Sequence, residues 1–357
     1  TGGPKGVMLS HGNIIDRVKA ITQELDIGSE DQILSYLSLG HISELIATFF
    51  GQMKAGYVVC FTEYSREIIN NRQKFKEAFP SILQTIKPTI FLAVPKVWQN
   101  IRKEIERKTN YLPVRLDGHG MIKNLLVRLI KKRLGLSKTR CFISAGSKIS
   151  QDDRSFFSNL GIFIDDIYGQ TETAGPLTIN GKVIEKTSVT IGEGGEILVE
   201  GPNIMMGYFN NPKATAEVLK DGIFHTGDAG VTDTEGRIFY GGRISDGFKN
   251  SQGEFISPEK IAELEDAVRK INDVDEAIVY GTDKPYNVVL VFSPKTSEEL
   301  RRKLETEIVN IGQGMYRLRK FLLINSEELE LTPTLKVRRR VMLKKFETQI
   351  SKLYDQP

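Results

Sequence analysis

The chain has 357 residues, 40% of them apolar and 26% charged, with a formal net charge of +4. That length holds two domains, or a large one with a smaller partner, and that apolar share builds a sizeable core, which excludes a disordered or low-complexity chain. The mild basic excess suits small anionic ligands but falls short of nucleic-acid-binding composition, and no apolar run approaches the roughly 20 residues of a membrane span.

The opening Thr1-Gly2-Gly3-Pro4-Lys5-Gly6 is a glycine-rich segment whose backbone N–H groups and Lys5 suit phosphate. It reads as the second half of such a loop, with further chain expected upstream. The Gly-Lys-Ser/Thr ending of a P-loop is absent, which disfavours that class of nucleotide hydrolase. Ile14, Val18, Ile21 and Leu25 then recur at helical spacing, and residues 33–37 make a short buried strand. An apolar stretch at 45–53 precedes a strand at 57–61; further strands fit 89–94, 140–144 and 163–167, with helical patterns between them. This alternation predicts a largely parallel, helix-covered sheet. Cys60 and Cys141, the two cysteines, fall in these apolar stretches, so buried thiols in a reducing, cytoplasmic setting are expected, not a disulfide or a metal site.

After about Gly175 the texture changes to short strand-like pieces such as 196–199 and 238–240, separated by Gly, Pro, Asn and Asp, which predicts a smaller antiparallel β subdomain. From Lys249 an α+β pattern follows: a helix near 259–270, strands at 276–280 and 288–292, a charged helix from Ser297 and a basic final helix. The fold class is therefore α/β, a large unit over residues 1–242 followed, after a boundary at 243–246, by a small α+β unit over 247–357.

Several segments, in this order, resemble the motifs of the adenylate-forming superfamily, which includes acyl-CoA synthetases, luciferases and peptide-synthetase adenylation domains. The opening is similar to the end of that superfamily's phosphate loop. Tyr168-Gly169-Gln170-Thr171-Glu172 resembles its adenine and magnesium motif, His225-Thr226-Gly227-Asp228 its ribose segment, Gly242-Arg243 the start of its hinge motif, and Leu331-Thr332-Pro333-Thr334-Leu335-Lys336 its C-terminal lysine motif. The resemblance implies ATP, Mg2+ and coenzyme A as co-substrates or cofactors, with ATP contacts at Thr1, Gly2, Lys5, Gly146, Ser147, Tyr168, Gly169, Gln170, Thr171, Asp228, Arg243 and Lys336. Each residue type suits its implied role. An aromatic face takes adenine, an Asp accepts from vicinal ribose hydroxyls, and Glu172 is a hard oxygen ligand for Mg2+ held mainly by phosphates. Lys336, with Thr171 and Glu172, would serve the transferring phosphate, where charge develops. Taken singly, each motif would read as a turn, a strand-end aromatic or a solvated lysine.

Tyr36-Leu37-Ser38-Leu39-Gly40-His41-Ile42-Ser43-Glu44, Val94-Pro95-Lys96-Val97-Trp98 and Gly201-Pro202-Asn203-Ile204-Met205-Met206-Gly207-Tyr208 look like fatty acyl-CoA synthetase segments. They imply a long-chain acid substrate, with His41 and Trp98 lining the acyl site or its entrance. A lid formed by residues 247–357 would turn about the hinge at Ser245 to admit coenzyme A past Gly253. Ser245 stands where an Asp or Lys is usual, and Ser144-Ala145-Gly146-Ser147-Lys148 replaces a Gly/Ala-rich run ending in Pro. The implied partners are the acid, ATP and coenzyme A, without nucleic acid, and with at most peripheral membrane contact. A fatty acyl-AMP ligase or acyl-carrier-protein synthetase is the nearest alternative, and a non-catalytic nucleotide- or acyl-binding module the alternative of a different class.

Overall fold

The computed structural model describes residues 5–63, 72–108, 121–332 and 336–355. The first short strand is β1 (Val7–Met8). Ser10 then caps helix α1 (His11–Glu24) in a capping box with Asn13, which satisfies two otherwise orphaned N–H groups. The next strands are β2 (Gln32–Ser35), β3 (Val58–Phe61), β4 (Ile90–Ala93), β5 (Cys141–Ala145), β6 (Ile164–Gln170), β7 (Gly175–Ile179) and β8 (Lys182–Val183). They form one sheet in the order β3-β2-β4-β5-β6-β7-β8. The five strands from β3 to β6 in that order are parallel, while β7 and β8 add antiparallel pairs.

Strand alternation divides the side chains between two faces. Leu34, Phe91, Phe142 and Ile164 point to a core built with helices α4 (Arg72–Ile86), α5 (Pro95–Lys108) and α7 (Gln151–Asn159). Ile33, Ile90, Leu92, Ile143 and Ile167 point to the opposite core, closed by α1 and by α2 (Ile42–Leu45), which runs on through a π-helical turn, Ile46–Phe50, into α3 (Gly51–Ala55). Helix α6 (Met121–Arg133) precedes β5. The apolar stretch at 45–53 is thus the cover of one face. Cys141 lies in that second core, where burial pushes its thiol up to about 12; Cys60 is only half-buried.

A second, antiparallel sheet is built from β9 (Ser188–Ile191), β10 (Glu196–Glu200), β12 (Leu219–Lys220), β13 (Ile223–Thr232) and β14 (Ile238–Arg243). Strand β11 (Gly207–Tyr208) pairs instead with β1, and the buried Asn13 side chain donates to Pro202 O at 2.6 Å and Ile204 O at 2.9 Å, which fixes the segment before β11. The α8 helix (Pro212–Val218) follows it.

The C-terminal part pairs β15 (Phe248–Lys249) with β16 (Phe255–Ile256), and sets α9 (Pro258–Arg269) against a sheet of β17 (Glu276–Tyr280), β18 (Asn287–Ser293) and β19 (Leu318–Asn325). Strand β19 was not anticipated: charged Arg319 and Lys320 interrupt its apolar pattern, and its parallel pairing with β18 needs the intervening helix α10 (Glu298–Glu307), which Ser297 caps as the sequence suggests. The expected single basic final helix is two short ones, α11 (Arg339–Lys345) and α12 (Glu347–Asp355). The large and small parts meet through polar contacts: Lys96 Nζ donates to Asp275 O at 2.9 Å, Lys103 Nζ lies 3.4 Å from Asp275 Oδ1, and Lys270 pairs with Asp152 at 2.6 Å.

One expectation is corrected here. Trp98 lines neither of the two cavities described below; it is fully buried in the core beneath α5, edge-on to Phe91 and Phe157 with centroids at 5.1 Å, and its Nε1–H donates to Ile143 O at 3.2 Å. It lies on the sheet face opposite the apolar cavity described below, because α5 covers that side. Trp98→Ala should therefore cost about 3–5 kcal/mol in urea unfolding, the range for deleting a large buried aromatic.

Candidate functional site

The carboxyl ends of β5 and β6 open onto a cleft of about 540 Å³ lined by residues from both sheets and from the C-terminal part. Its centre is a strand register. In the β13–β14 hairpin Asp228 stands opposite Arg243, placing carboxylate and guanidinium side by side. Asp228 is 2% exposed; its Oδ2 accepts from the Tyr168 hydroxyl at 2.8 Å and from Gln170 Nε2. Its Oδ1 lies 3.0 Å from Arg243 Nε, off hydrogen-bond alignment, and so is buried without a hydrogen bond among the described residues. An orphaned buried carboxylate oxygen is costly unless something donates to it. Burial raises the Asp228 pKa against the pull of Arg243, and burial likewise works against Arg243's charge while Asp228 holds its pKa high.

The surrounding residues fix this pair. Thr226 Oγ1 donates to Ile197 O at 2.7 Å, Arg243 Nη1 donates to Thr226 O at 2.9 Å, and Glu196 takes both the Gly227 N–H at 2.8 Å and the His225 ring at 2.9 Å. His225 therefore braces the hairpin. Tyr168 lies nearly parallel to Tyr240, rings 5.5 Å apart at 17°, making an aromatic wall, and burial together with Asp228 pushes its hydroxyl pKa up. Gly146, at φ +93°, brings the Gly146-Ser147-Lys148 turn into the cleft; a Cβ there would lie 3.9 Å from Lys336 Cε. Gly169 is required for another reason, since a Cβ would strike the Gly175 backbone across the β6–β7 pair.

Lys336 reaches the same cleft from the C-terminal part. Desolvation of its ammonium and the nearby Arg243 lower its pKa, while Asp228 pulls the other way. Half-buried His41, the residue before α2, has its pKa lowered by burial and then by the Lys336 charge. His41, Lys336, Arg243 and Asp228 thus share one electrostatic neighbourhood. Thr171 and Glu172 stand on a 3-10 turn at the rim, Thr171 exposed and Glu172 Oε1 accepting from the Tyr208 hydroxyl at 2.8 Å. Lys5 sits over the Tyr208 ring at 4.7 Å and does not line the cleft. Thr1, Gly2 and the Pro333, Thr334 and Leu335 portion of the lysine motif lie outside the described residues. Ser245 is exposed on the turn Ile244–Asp246. Gly253 is not brought to the cleft: it occupies the β15–β16 turn at φ +80° with open space around it.

Several lining residues escaped the sequence reading, among them Asp166, Lys148 and Tyr240. The strand holding Tyr240 was legible, but a bulge between Ala229 and Gly230 shifts the β13–β14 register, so alternation from Arg243 does not say that Tyr240 turns inward.

Behind the cleft lies a second cavity, of about 630 Å³, with a nearly all-apolar lining. It is enclosed by α1, by the turn after α2 and by the sheet face carrying Ile33, Ile90, Leu92, Ile143 and Ile167. Ile167 lines both cavities, and Ala145 of the second adjoins Gly146 of the first. Among the described residues no group of three or more His, Cys, Asp or Glu side chains forms a metal cluster, and no helix is long and apolar enough to cross a membrane.

Residues 1–192 match the AMP-binding enzyme family, and residues 250–357 match the family of AMP-binding enzyme C-terminal domains. A long-chain-fatty-acid–CoA ligase of Mus musculus is 27% identical over 99% of this chain, and a long-chain-fatty-acid–CoA ligase of Mycobacterium bovis is 24% identical over 99%. The chain spans 65% of the mouse relative's length and 68% of the mycobacterial one's. Among solved structures, the A domain of a carboxylic acid reductase from Segniliparus rugosus, in complex with AMP, superposes with a TM-score of 0.79 at 21% identity, over 99% of this chain and 60% of that one. The o-succinylbenzoate CoA synthetase of Bacillus subtilis gives a TM-score of 0.72 at 22% identity, over 96% and 66%. These two likenesses establish the fold.

Asp166 offers a pH-dependent test of the cleft. Burial holds its carboxyl up to about 6 against the attraction of Arg154 and Lys148. Unfolded, it ionises near ~3.9, so between about pH 4 and 6 the folded chain binds more protons and stability falls as pH rises through that window. Asp166→Asn abolishes the penalty. Urea unfolding should find the variant about 1–2 kcal/mol more stable than the parent at pH 7, after allowance for its partial exposure, and no more stable at pH 4.

Proposed function

Because the chain belongs to the AMP-binding enzyme family, we propose that it activates a long-chain fatty acid with ATP to an acyl-adenylate and passes the acyl group to coenzyme A. The observation that carries this reading is the pairing of a polar cleft, centred on an orphaned buried carboxylate oxygen and a converging lysine, with an apolar cavity that shares its Ile167 wall. The relatives named as long-chain-fatty-acid–CoA ligases support the choice of acid.

In this reading the Asp228 Oδ1 accepts from a ribose hydroxyl, which supplies the donor that Arg243 Nε misses. The Tyr168 and Tyr240 rings take the adenine face. Lys336, its pKa already lowered by burial and Arg243, lies beside the position of the α-phosphate and neutralises the charge that develops there as the carboxylate attacks and pyrophosphate leaves. His41, which precedes α2 and feels the Lys336 charge but lines neither the cleft nor the apolar cavity, would flank the reacting carboxyl. Mg2+ of this kind needs only one or two protein carboxylates, the rest of its shell being phosphate and water. Glu172 fits: one carboxylate at the rim, oriented by Tyr208. When bound, the ion would offset phosphate charge.

The Lys336 position corresponds to the first half-reaction. For the second, residues 247–357 rotate about 243–246, withdrawing Lys336 and bringing the Gly253 turn, open in this arrangement, toward the cleft for the pantetheine arm. Lys336→Ala should lower pyrophosphate release by about 10²–10³-fold while leaving acyl-CoA formation from pre-made acyl-adenylate near the parental rate. Equal loss in both assays would overturn the two-state assignment, and acyl transfer only to a carrier protein would replace coenzyme A as acceptor.

A further inference from the structure

The apolar cavity has a built end. Strand register orders its lining residues along the sheet: Ala145, the last residue of β5, pairs with Ile167 of β6 beside the cleft, whereas Ile33 and Ile90 are partners at the amino ends of β2 and β4. Tyr57 lies one residue before Val58, which pairs with Gln32, so it sits at the far, amino edge of the sheet. Continued across β4, the register sets Tyr57 about six residues from the level of Ala145, a length on the order of 20 Å at ~3.3 Å per residue. An extended backbone advances about 3.5 Å for every three bonds, and an all-trans alkyl chain of similar bond lengths keeps nearly the same rate, so about 17 carbon–carbon bonds span it.

Tyr57 is 4% exposed, and its hydroxyl is anchored. In the π-helical turn the Gly51 N–H donates to Ile46 O, five residues back, and so misses the Ala47 carbonyl that an α-helix would give it. The Tyr57 hydroxyl donates to that carbonyl instead. Gly51 is the one residue that admits this contact, since a Cβ there would run into the Tyr57 hydroxyl and the Ile46 carbonyl. The ring is thus tied to the helix that covers the cavity, at the end away from the cleft.

We propose that Tyr57, locked to the π-turn through the Ala47 carbonyl and accommodated by Gly51, is the end wall that sets the longest straight-chain acyl group the protein accepts. The proposal rests on the reading of this cavity as the acyl site. It predicts that Tyr57→Ala moves the upper length limit outward, and that Ile90→Phe, filling the cavity just before its end, moves it inward. Tyr57→Phe keeps the ring, and should keep the limit while lowering the melting temperature through the unpartnered Ala47 carbonyl.

The test is a straight-chain saturated acid series from octanoate to lignocerate, followed by pyrophosphate release and by calorimetric binding. Tyr57→Ala should raise kcat/KM for the acids beyond the parental limit by roughly tenfold or more, and Ile90→Phe should lower it by a similar factor for the longest acids that the parent accepts, both with octanoate unchanged, as expected when a pocket gains or loses space for methylenes. A parent that binds long acids, with the limit moved inward in Ile90→Phe but unchanged in Tyr57→Ala, overturns the end wall alone; the same limit in both variants overturns this cavity as the acyl site. A parent that binds no straight-chain acid overturns the acyl assignment itself. Should Tyr57→Ala fail to fold, an unchanged limit in Ile90→Phe still refutes the proposal.

Discussion

A buried carboxylate can persist in a protein only if its charge is met, and in this molecule Asp228 organises what surrounds it for that reason. The β13–β14 register supplies Arg243, the end of β6 supplies Tyr168 and Gln170, and the C-terminal part supplies the ammonium of Lys336. Two sheets and the small C-terminal unit therefore converge on one side chain. Its second oxygen, 3.0 Å from Arg243 Nε, is still left without a hydrogen bond among the described residues. The same group thus ties the parts together and makes the cleft receptive.

The division of labour between the two cavities follows from strand alternation. Along β5 and β6 successive residues point to opposite cores, and only at the carboxyl ends, where Ala145 and Ile167 give way to Gly146 and Tyr168, does the polar cleft open over the apolar side. A parallel sheet places such a crevice outside the ends of its strands. Alpha-helical cover is needed on the apolar side, and the short α2–π–α3 segment provides it.

Much of this was legible in the sequence because it is local. Buried parallel strands read as apolar runs, so β2 to β6 were placed within a few residues, and the Tyr168, Asp228, Arg243 and Lys336 segments carry motif spacing that survives without any tertiary information. What was missed depends on distant partners. Trp98 sits in a segment that suggested an acyl wall, but which face of the sheet a covering helix takes is decided by chain crossover, and α5 crosses to the other side. Tyr240 was hidden by a bulge, β19 by the charges along it, and the π-turn by having no compositional signature of its own.

The joint between the large and small units has a thermodynamic character of its own. Between α5 and the start of β17 the contacts are ammonium to carbonyl and ammonium to carboxylate, with burial lowering the Lys96 pKa. Heat capacity changes in proportion to the apolar surface exposed, and undoing these contacts exposes little of it. This joint is therefore little affected by temperature, while ionic strength, which screens the exposed Lys103–Asp275 and Lys270–Asp152 pairs, weakens it.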